Sequence, residues 1–181
     1  MNHIVYPPGS VVAFTGLPGS GKTGLMTYFA RQLVMYETMQ LAANYKLYNV
    51  PYTHITKYIQ LQCTNTVICL DELQLIAGSR DFKTATNKSM SEFVELDIRK
   101  PQNILFYTTQ DFDMVDVNIR RLTSELYDLS LVHNTAAERV SVVARYANMR
   151  YSHFVDRGKF ALPHRMFYGL YDTFDRNVRL S

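Results

Sequence analysis

Cysteine is scarce. Cys63 and Cys69 are the only two among 181 residues, and they make neither a disulfide framework nor a metal-ligand pattern, which leaves reduced thiols in a core. The five histidines show no metal-ligating spacing. No apolar run approaches the ~18–20 residues a helix needs to span a bilayer. The amino terminus, MNHIVYPPGSVV, lacks a basic segment followed by a long apolar stretch, so no signal peptide is expected. Internal repeats and low-complexity tracts are missing too. Charged residues are only 19% against 47% hydrophobic, a balance that excludes disorder. These absences predict a cytoplasmic globular chain, long enough for one domain that buries its core without disulfides or structural metal.

The net charge is only +3, but its distribution is uneven. Residues 1–144 carry 12 Lys/Arg against 13 Asp/Glu, and residues 145–181 carry 7 against 3. The basic excess in the last fifth of the chain is compatible with a polyanionic partner without demanding one.

Strand and helix patterns alternate along most of the chain. VVAFTG (11–16) predicts a short apolar strand ending at glycine. Leu25, Met26, Phe29, Leu33 and Tyr36 fall at helical spacing and predict a helix from Lys22 to about Ala42. NYKLYNV (44–50) is expected to be a second strand, stopped by Pro51, followed by a short helix over 53–61. TVICL (66–70) has the continuous apolar character of a buried strand. A polar stretch (77–88), a helix near 89–99, a strand NILFYTT (103–109), a helix over 116–126 and a strand LYDLSLV (126–132) complete the series. Such alternation predicts an α/β fold with a central, mostly parallel sheet flanked by helices. After 135, VSVVARYANMRYSHFV reads as extended strands in a hairpin. The expected organisation is one domain over 1–181, with a core at about 10–134 and a β-rich C-terminal extension at about 135–181.

Gly16-Leu17-Pro18-Gly19-Ser20-Gly21-Lys22-Thr23 satisfies G-x-x-x-x-G-K-[ST] in full, between an apolar strand and a helix. Glycines let the backbone curl so that successive N–H groups aim at one centre. The helix adds the positive end of its dipole there. Residues 16–23, with Gly24 behind them, are thus expected to hold the phosphates of ATP. Lys22 supplies a mobile charge to the β- and γ-phosphates, and Thr23 a hydroxyl ligand to Mg²⁺. The rival reading is a glycine-rich turn before a helix.

A phosphate loop needs a carboxylate for magnesium at the end of a neighbouring strand. Val67-Ile68-Cys69-Leu70-Asp71-Glu72 offers Asp71 for the metal and Glu72 as general base for the attacking water. The acidic pair points to a hydrolase or motor rather than a simple phosphotransferase. GTPase signatures fail, because Asp71 is not followed by x-x-Gly and Asn87-Lys88 is followed by Ser89-Met90. Gln110, after Tyr107-Thr108-Thr109, stands where a strand-end amide can sense the γ-phosphate without adding charge. Local sequence alone also allows a surface glutamine.

Together GLPGSGKT, VICLDE, RKPQNILFYTTQ and FYGLYDTFD resemble the FtsK/HerA superfamily of P-loop ATPases, of the ASCE/RecA-like type. Within it the chain is similar to the zonula-occludens-toxin-like phage proteins and to the genome-packaging ATPases of membrane-containing and archaeal viruses. The likeness runs from about residue 10 to 175 and is strongest at the Arg-Lys pair before a strand ending in Thr-Gln and at Tyr168-Gly169-Leu170-Tyr171-Asp172-Thr173. It implies a hexameric or pentameric ring that pumps double-stranded DNA without sequence preference, with ATP and Mg²⁺ between neighbouring subunits. A capsid or membrane vertex protein is the docking partner it implies, and the host cytoplasm or the virion the location. It also implies an arginine lent across the interface, which by position is Arg99, with Arg120 and Arg121 in reserve. A guanidinium suits the spread charge of a γ-phosphoryl transition state. At a helix end, the rival reading of Arg99 is a capping cation. Toxin-like relatives continue into a membrane segment and a further domain. This sequence ends at Ser181 with neither, favouring a packaging-type motor.

DNA contacts are less defined. The stretch from Gly78 through Ser89 can touch backbone phosphates or be a solvated loop. Arg145, Tyr146, Arg150, Tyr151, His153 and Phe154 interleave cations with aromatics, which suits a nucleic-acid surface or a strand with one core face and one wet face. Two other functions compete with the motor: a small-molecule P-loop kinase, and a nucleotide-dependent assembly protein of a virion.

Overall fold

In the computed structural model the described residues are 6–56, 63–74, 92, 94, 98, 102–134, 139–150 and 153–172. The unbroken apolar run VVAFT forms β1 (Val11–Thr15), buried at all five positions. Its side chains alternate between two cores: Val12 and Phe14 enter one, Val11 and Ala13 the other. A strand covered on both faces needs no polar alternation, as is usual in parallel sheets.

Helix α1 (Lys22–Glu37) lays Leu25, Met26, Phe29 and Leu33 on the first core. There Phe14 stacks on Tyr127 at 5.3 Å and meets Phe106 and Phe29 edge-on at 5.5 and 5.9 Å. Each such pair adds about 0.5–1.5 kcal/mol beyond its buried area. On the other face Ile119, Val94 and Ile98 pack with Leu105 and Tyr107.

The sheet has eight strands in the order β3-β2-β4-β5-β1-β6-β7-β8. They are β2 (Gln40–Ala43), β3 (Thr53–His54), β4 (Thr66–Leu70), β5 (Ile104–Thr109), β6 (Glu125–Asn134), β7 (Arg139–Arg150) and β8 (His153–Pro163). Pairing from β3 through to β6 is parallel. β6–β7 and β7–β8 are antiparallel. The expected α/β fold with a central, mostly parallel sheet is therefore what the chain adopts, and the strands expected after 135 form a hairpin.

Boundaries differ from expectation in four places. The first helix stops at Glu37 rather than about Ala42, because Thr38 turns left-handed (φ 54°). Leu41, Ala42 and Ala43 are then buried as a strand beside β4. The strand expected at 44–50 is a turn with a single bridge, Leu47 to Tyr171. Thr53–His54, expected to open a helix, is an edge strand paired with Ala42–Ala43. Helix α2 (Val117–Leu122) is shorter than 116–126: Asp116 caps Asn118 N–H, and the Thr123 N–H closes onto the Ile119 and Arg120 carbonyls. The polar stretch 77–88 lies outside the described residues, as does most of the helix expected near 89–99, of which Glu92, Val94 and Ile98 are helical.

Beyond β8 a 3-10 turn, His164–Phe167, leads into a strap (164–172) that crosses the start of α1. Phe167 abuts Gly24. The Tyr48 N–H donates to Leu170 O and the Asp172 N–H to Lys46 O, each at 3.0 Å. Among the described residues, no helix is long and apolar enough to cross a membrane.

Candidate functional site

The parallel strands β1, β4 and β5 end on one edge of the sheet, where crevices in such sheets collect ligands. Gly16 follows β1, Asp71 and Glu72 follow β4, and Gln110 follows β5. Strand β5 lies between the other two, so Gln110 stands between the loop and the acidic pair.

Gly16 turns at φ 139°, and a Cβ there would run into the Leu129 carbonyl oxygen. Gly21 sits at φ 91°, against Val142 of β7. Only glycine meets both demands. Gly21 is also the N-cap of α1, and no side chain caps the helix or places an acid in its first turn. The first amides thus keep their hydrogen-bonding capacity and the positive dipole end for an anion. Lys22 is 8% exposed, and its Nζ donates to the Gly16 and Leu17 carbonyls at 2.8 and 2.9 Å. Burial lowers its pKa, while Asp71 and Glu72 pull the other way. Ser20 Oγ is buried with no partner among the described residues.

Thr23 Oγ1 donates to Asp71 Oδ1 at 2.9 Å, and Thr108 Oγ1 donates to the same oxygen at 2.6 Å. Thr108 also accepts from the Glu72 N–H at 2.7 Å. Asn44 grips the same turn from the other side: the Asp71 N–H donates to its Oδ1 at 2.8 Å, and its Nδ2 donates to the Asp71 carbonyl at 3.2 Å. Glu72 itself holds φ 54°, a left-handed conformation that costs a non-glycine residue on the order of 1 kcal/mol and persists where its surroundings fix it.

A cleft of about 460 Å³ gathers these groups. Pro18, Gly19, Gly21, Lys22, Thr23, Asp71, Glu72 and Gln110 share it with Tyr45, His164, Tyr171 and Asp172. Tyr45 is fully buried, with its hydroxyl 2.8 Å from Thr27 Oγ1. Burial, reinforced by Asp71, raises the Tyr171 pKa. The Tyr48 hydroxyl donates to Asp172 Oδ2 at 3.0 Å.

The structure thus brings together the loop residues, Asp71, Glu72 and Gln110. Arg99 lies outside the described residues. Arg120 is tied to Asp113 of its own chain at 2.6 Å, and Arg121 is exposed at the end of α2. Arg145 is exposed while Tyr146 packs on the core, stacked on Tyr127 at 5.8 Å, so this part of β7 has one wet and one core face. Sequence reasoning missed Asn44, Thr108 and the strap residues as parts of the site. Their only local signals were an amide near a strand end, a hydroxyl in the sensor strand and a Tyr-Asp pair.

A loop of this shape fits a nucleotide and magnesium. It offers an orphaned buried hydroxyl, a glycine cradle that side chains would fill, and hard oxygen donors on Thr23 and Asp71.

The model of the ATPase family associated with various cellular activities (AAA) matches residues 12–128. No curated protein matches in sequence. Among solved structures, the N-terminal domain of zonular occludens toxin from Neisseria meningitidis superposes with a TM-score of 0.58 at 16% identity, covering 91% of this chain and 100% of that one. The flagellar accessory protein FlaH from Methanocaldococcus jannaschii gives 0.54 at 13% identity, covering 87% of each chain. B204, the DNA-packaging ATPase from Sulfolobus Turreted Icosahedral Virus, gives 0.54 at 10% identity, covering 83% of this chain and 98% of that one. At these identities the likeness is one of fold.

Proposed function

Because the chain belongs to the AAA family of P-loop ATPases, we propose that it hydrolyses ATP with Mg²⁺ to translocate double-stranded DNA, as a ring of subunits of the kind that packages viral genomes. The observation that carries hydrolysis is the convergence of the phosphate loop, the Thr23–Asp71 pair and Glu72 on one cleft. The DNA step is supported by the fold shared with a DNA-packaging ATPase and by the basic excess over 145–181.

The residues divide the work as follows. Amides from Gly19 to Gly24 surround the triphosphate, and Lys22 exchanges its two carbonyl partners for β- and γ-phosphate oxygens. Thr23 and Asp71 would hold magnesium, which would supply positive charge against the triphosphate. Glu72 takes the proton of the attacking water. Gln110 positions that water or a phosphate oxygen through its neutral amide. Arg99, lent by a neighbour, spreads over the developing charge.

Measuring ATP hydrolysis with and without duplex DNA tests the proposal, and a DNA-stimulated rate is expected. Phosphate transfer to a small molecule would mark a kinase instead, and no turnover an assembly protein. Glu72→Gln is expected to bind Mg·ATP as the wild type does and to lose about 10²–10⁴ in rate. Normal turnover by that variant would remove Glu72 from the mechanism.

A further inference from the structure

The cleft extends beyond its phosphate-binding part. At about 460 Å³ it falls in the range of sites that enclose a whole small molecule, ~300–1,000 Å³. Glu72 and Gln110 mark the side where a γ-phosphate is attacked. Phosphates cradled at a helix N-terminus follow its first amides, so a nucleoside leaves the loop on the opposite side, past Thr23 and Gly24. That is where Phe167 of the strap lies. A Cβ on Gly24 would stand 2.9 Å from Phe167 Cγ.

Phe167 brings its neighbours to the same rim. His164 lines the cleft. Its ring stands edge-on to Phe167 at 6.2 Å and to Tyr168 at 5.3 Å, and its Nδ1 is 3.4 Å from the Tyr168 hydroxyl. Tyr168 is 69% exposed, although it is a large aromatic. The strap is fixed in place by the Tyr48–Asp172 and Asp172–Lys46 hydrogen bonds, so the aromatic pair stands ready before any ligand arrives. A half-buried imidazole lining the cleft, with an exposed phenol ring against it, offers a stacking surface for a flat heterocycle.

Resting on the ATPase reading above, we infer that the strap is the nucleoside subsite, with a purine base stacked on His164 and flanked by Tyr168 while the loop holds the triphosphate. Affinity for the base then lies in the C-terminal strap rather than in the loop.

Calorimetric titration of the full chain with Mg·ATP and with Mg·tripolyphosphate separates the two halves of the cleft. The wild type is expected to bind ATP roughly ten- to a hundredfold more tightly, the range one aromatic–base stack commands. His164→Ala should bring ATP to within about threefold of tripolyphosphate and leave tripolyphosphate affinity unchanged, whereas His164→Phe, which keeps a ring, should retain most of the advantage. A full ATP advantage in His164→Ala, or equal affinities in the wild type, would overturn the subsite and leave the phosphate site standing. Wild-type protein that binds neither ligand would overturn the ATPase reading and this inference with it. Should His164→Ala lose tripolyphosphate binding as well, the largely exposed Tyr168→Ala decides by the same comparison. A loss of about threefold or more in ATP advantage supports the platform, and no loss overturns it.

Discussion

Thr108→Val is the most informative single change, because it removes one oxygen and almost no volume from a fully buried site. That oxygen donates to Asp71 Oδ1 at 2.6 Å and accepts from the Glu72 N–H at 2.7 Å. A hydrogen bond to a charged group is worth about 1.5–3 kcal/mol, and a neutral one about 1. The two share an atom and are not additive. Asp71 also keeps its Thr23 donor, so the net loss is set at about 2 kcal/mol. For a chain of this size the melting temperature should fall by about 4–8 °C. The kinetic effect is separable from the thermal one. Glu72 holds φ 54°, and without the Thr108 anchor it can relax toward an ordinary conformation, carrying its carboxylate away from the γ-phosphate. A displacement on the order of 1 Å costs up to about a hundredfold in rate. Steady-state ATPase assays should therefore show kcat down about 10–100-fold with KM for ATP nearly unchanged, since the loop and Lys22 are untouched. Thr108→Ser restores the hydroxyl and should restore kcat. A Thr108→Val enzyme with wild-type kcat would refute the idea that this hydroxyl sets the catalytic geometry. A KM effect alone would place it in binding instead.

Gly24→Ala is expected to destabilise the fold by about 1–3 kcal/mol through overpacking against Phe167; Phe167→Ala should relieve part of that cost, and thermal melts of the double variant that simply add would argue against the contact. Glu125 has a raised pKa, chiefly from burial, with the Tyr127 hydroxyl opposing, so its contribution to stability is present below the ordinary carboxylate pKa and lost as pH rises through the raised one. Glu125→Gln should remove that fall, leaving the variant more stable than wild type near neutrality in chemical denaturation across pH; an unchanged pH profile would count against a buried carboxylate. Arg99→Ala is expected to bind ATP and lose most hydrolysis, and to regain some activity when mixed with Lys22→Ala, because a ring of the proposed kind would then contain interfaces with both residues intact. Wild-type hydrolysis by Arg99→Ala would move the lent arginine to Arg120 or Arg121, or end the shared-site model; the exposed Arg120–Asp113 pair is too weak to exclude Arg120.

Two kinds of signal made much of this legible in advance. The phosphate loop and the acidic pair are contiguous, so residue order alone carries their chemistry. The long apolar runs of β1, β4 and β5 are buried on both faces, and no other environment suits them. Where the reading slipped, the apolar pattern was too short to choose a period. Leu41-Ala42-Ala43 continues a helical stripe as readily as it forms a strand. What ends the helix is the left-handed Thr38, a conformation that threonine does not advertise. Thr53–His54 became a strand because β2 offered an edge, which is a tertiary fact.

The parts of the site that stayed hidden share one property: each acts across a long stretch of chain. Asn44 reaches Asp71 from 27 residues away, Thr108 from 37, and Tyr48 meets Asp172 across 124. A local motif encodes where phosphate goes, because glycine conformations and helix amides are local. It does not encode what holds the acids still, because those partners come from distant stretches of chain. The C-terminal hairpin illustrates the difference. Val142 of β7 presses on Gly21 and Phe167 on Gly24, so both contacts bear on glycines of the phosphate-binding segment. The hairpin and strap therefore shape the loop's surroundings from more than a hundred residues away, which no local motif could announce.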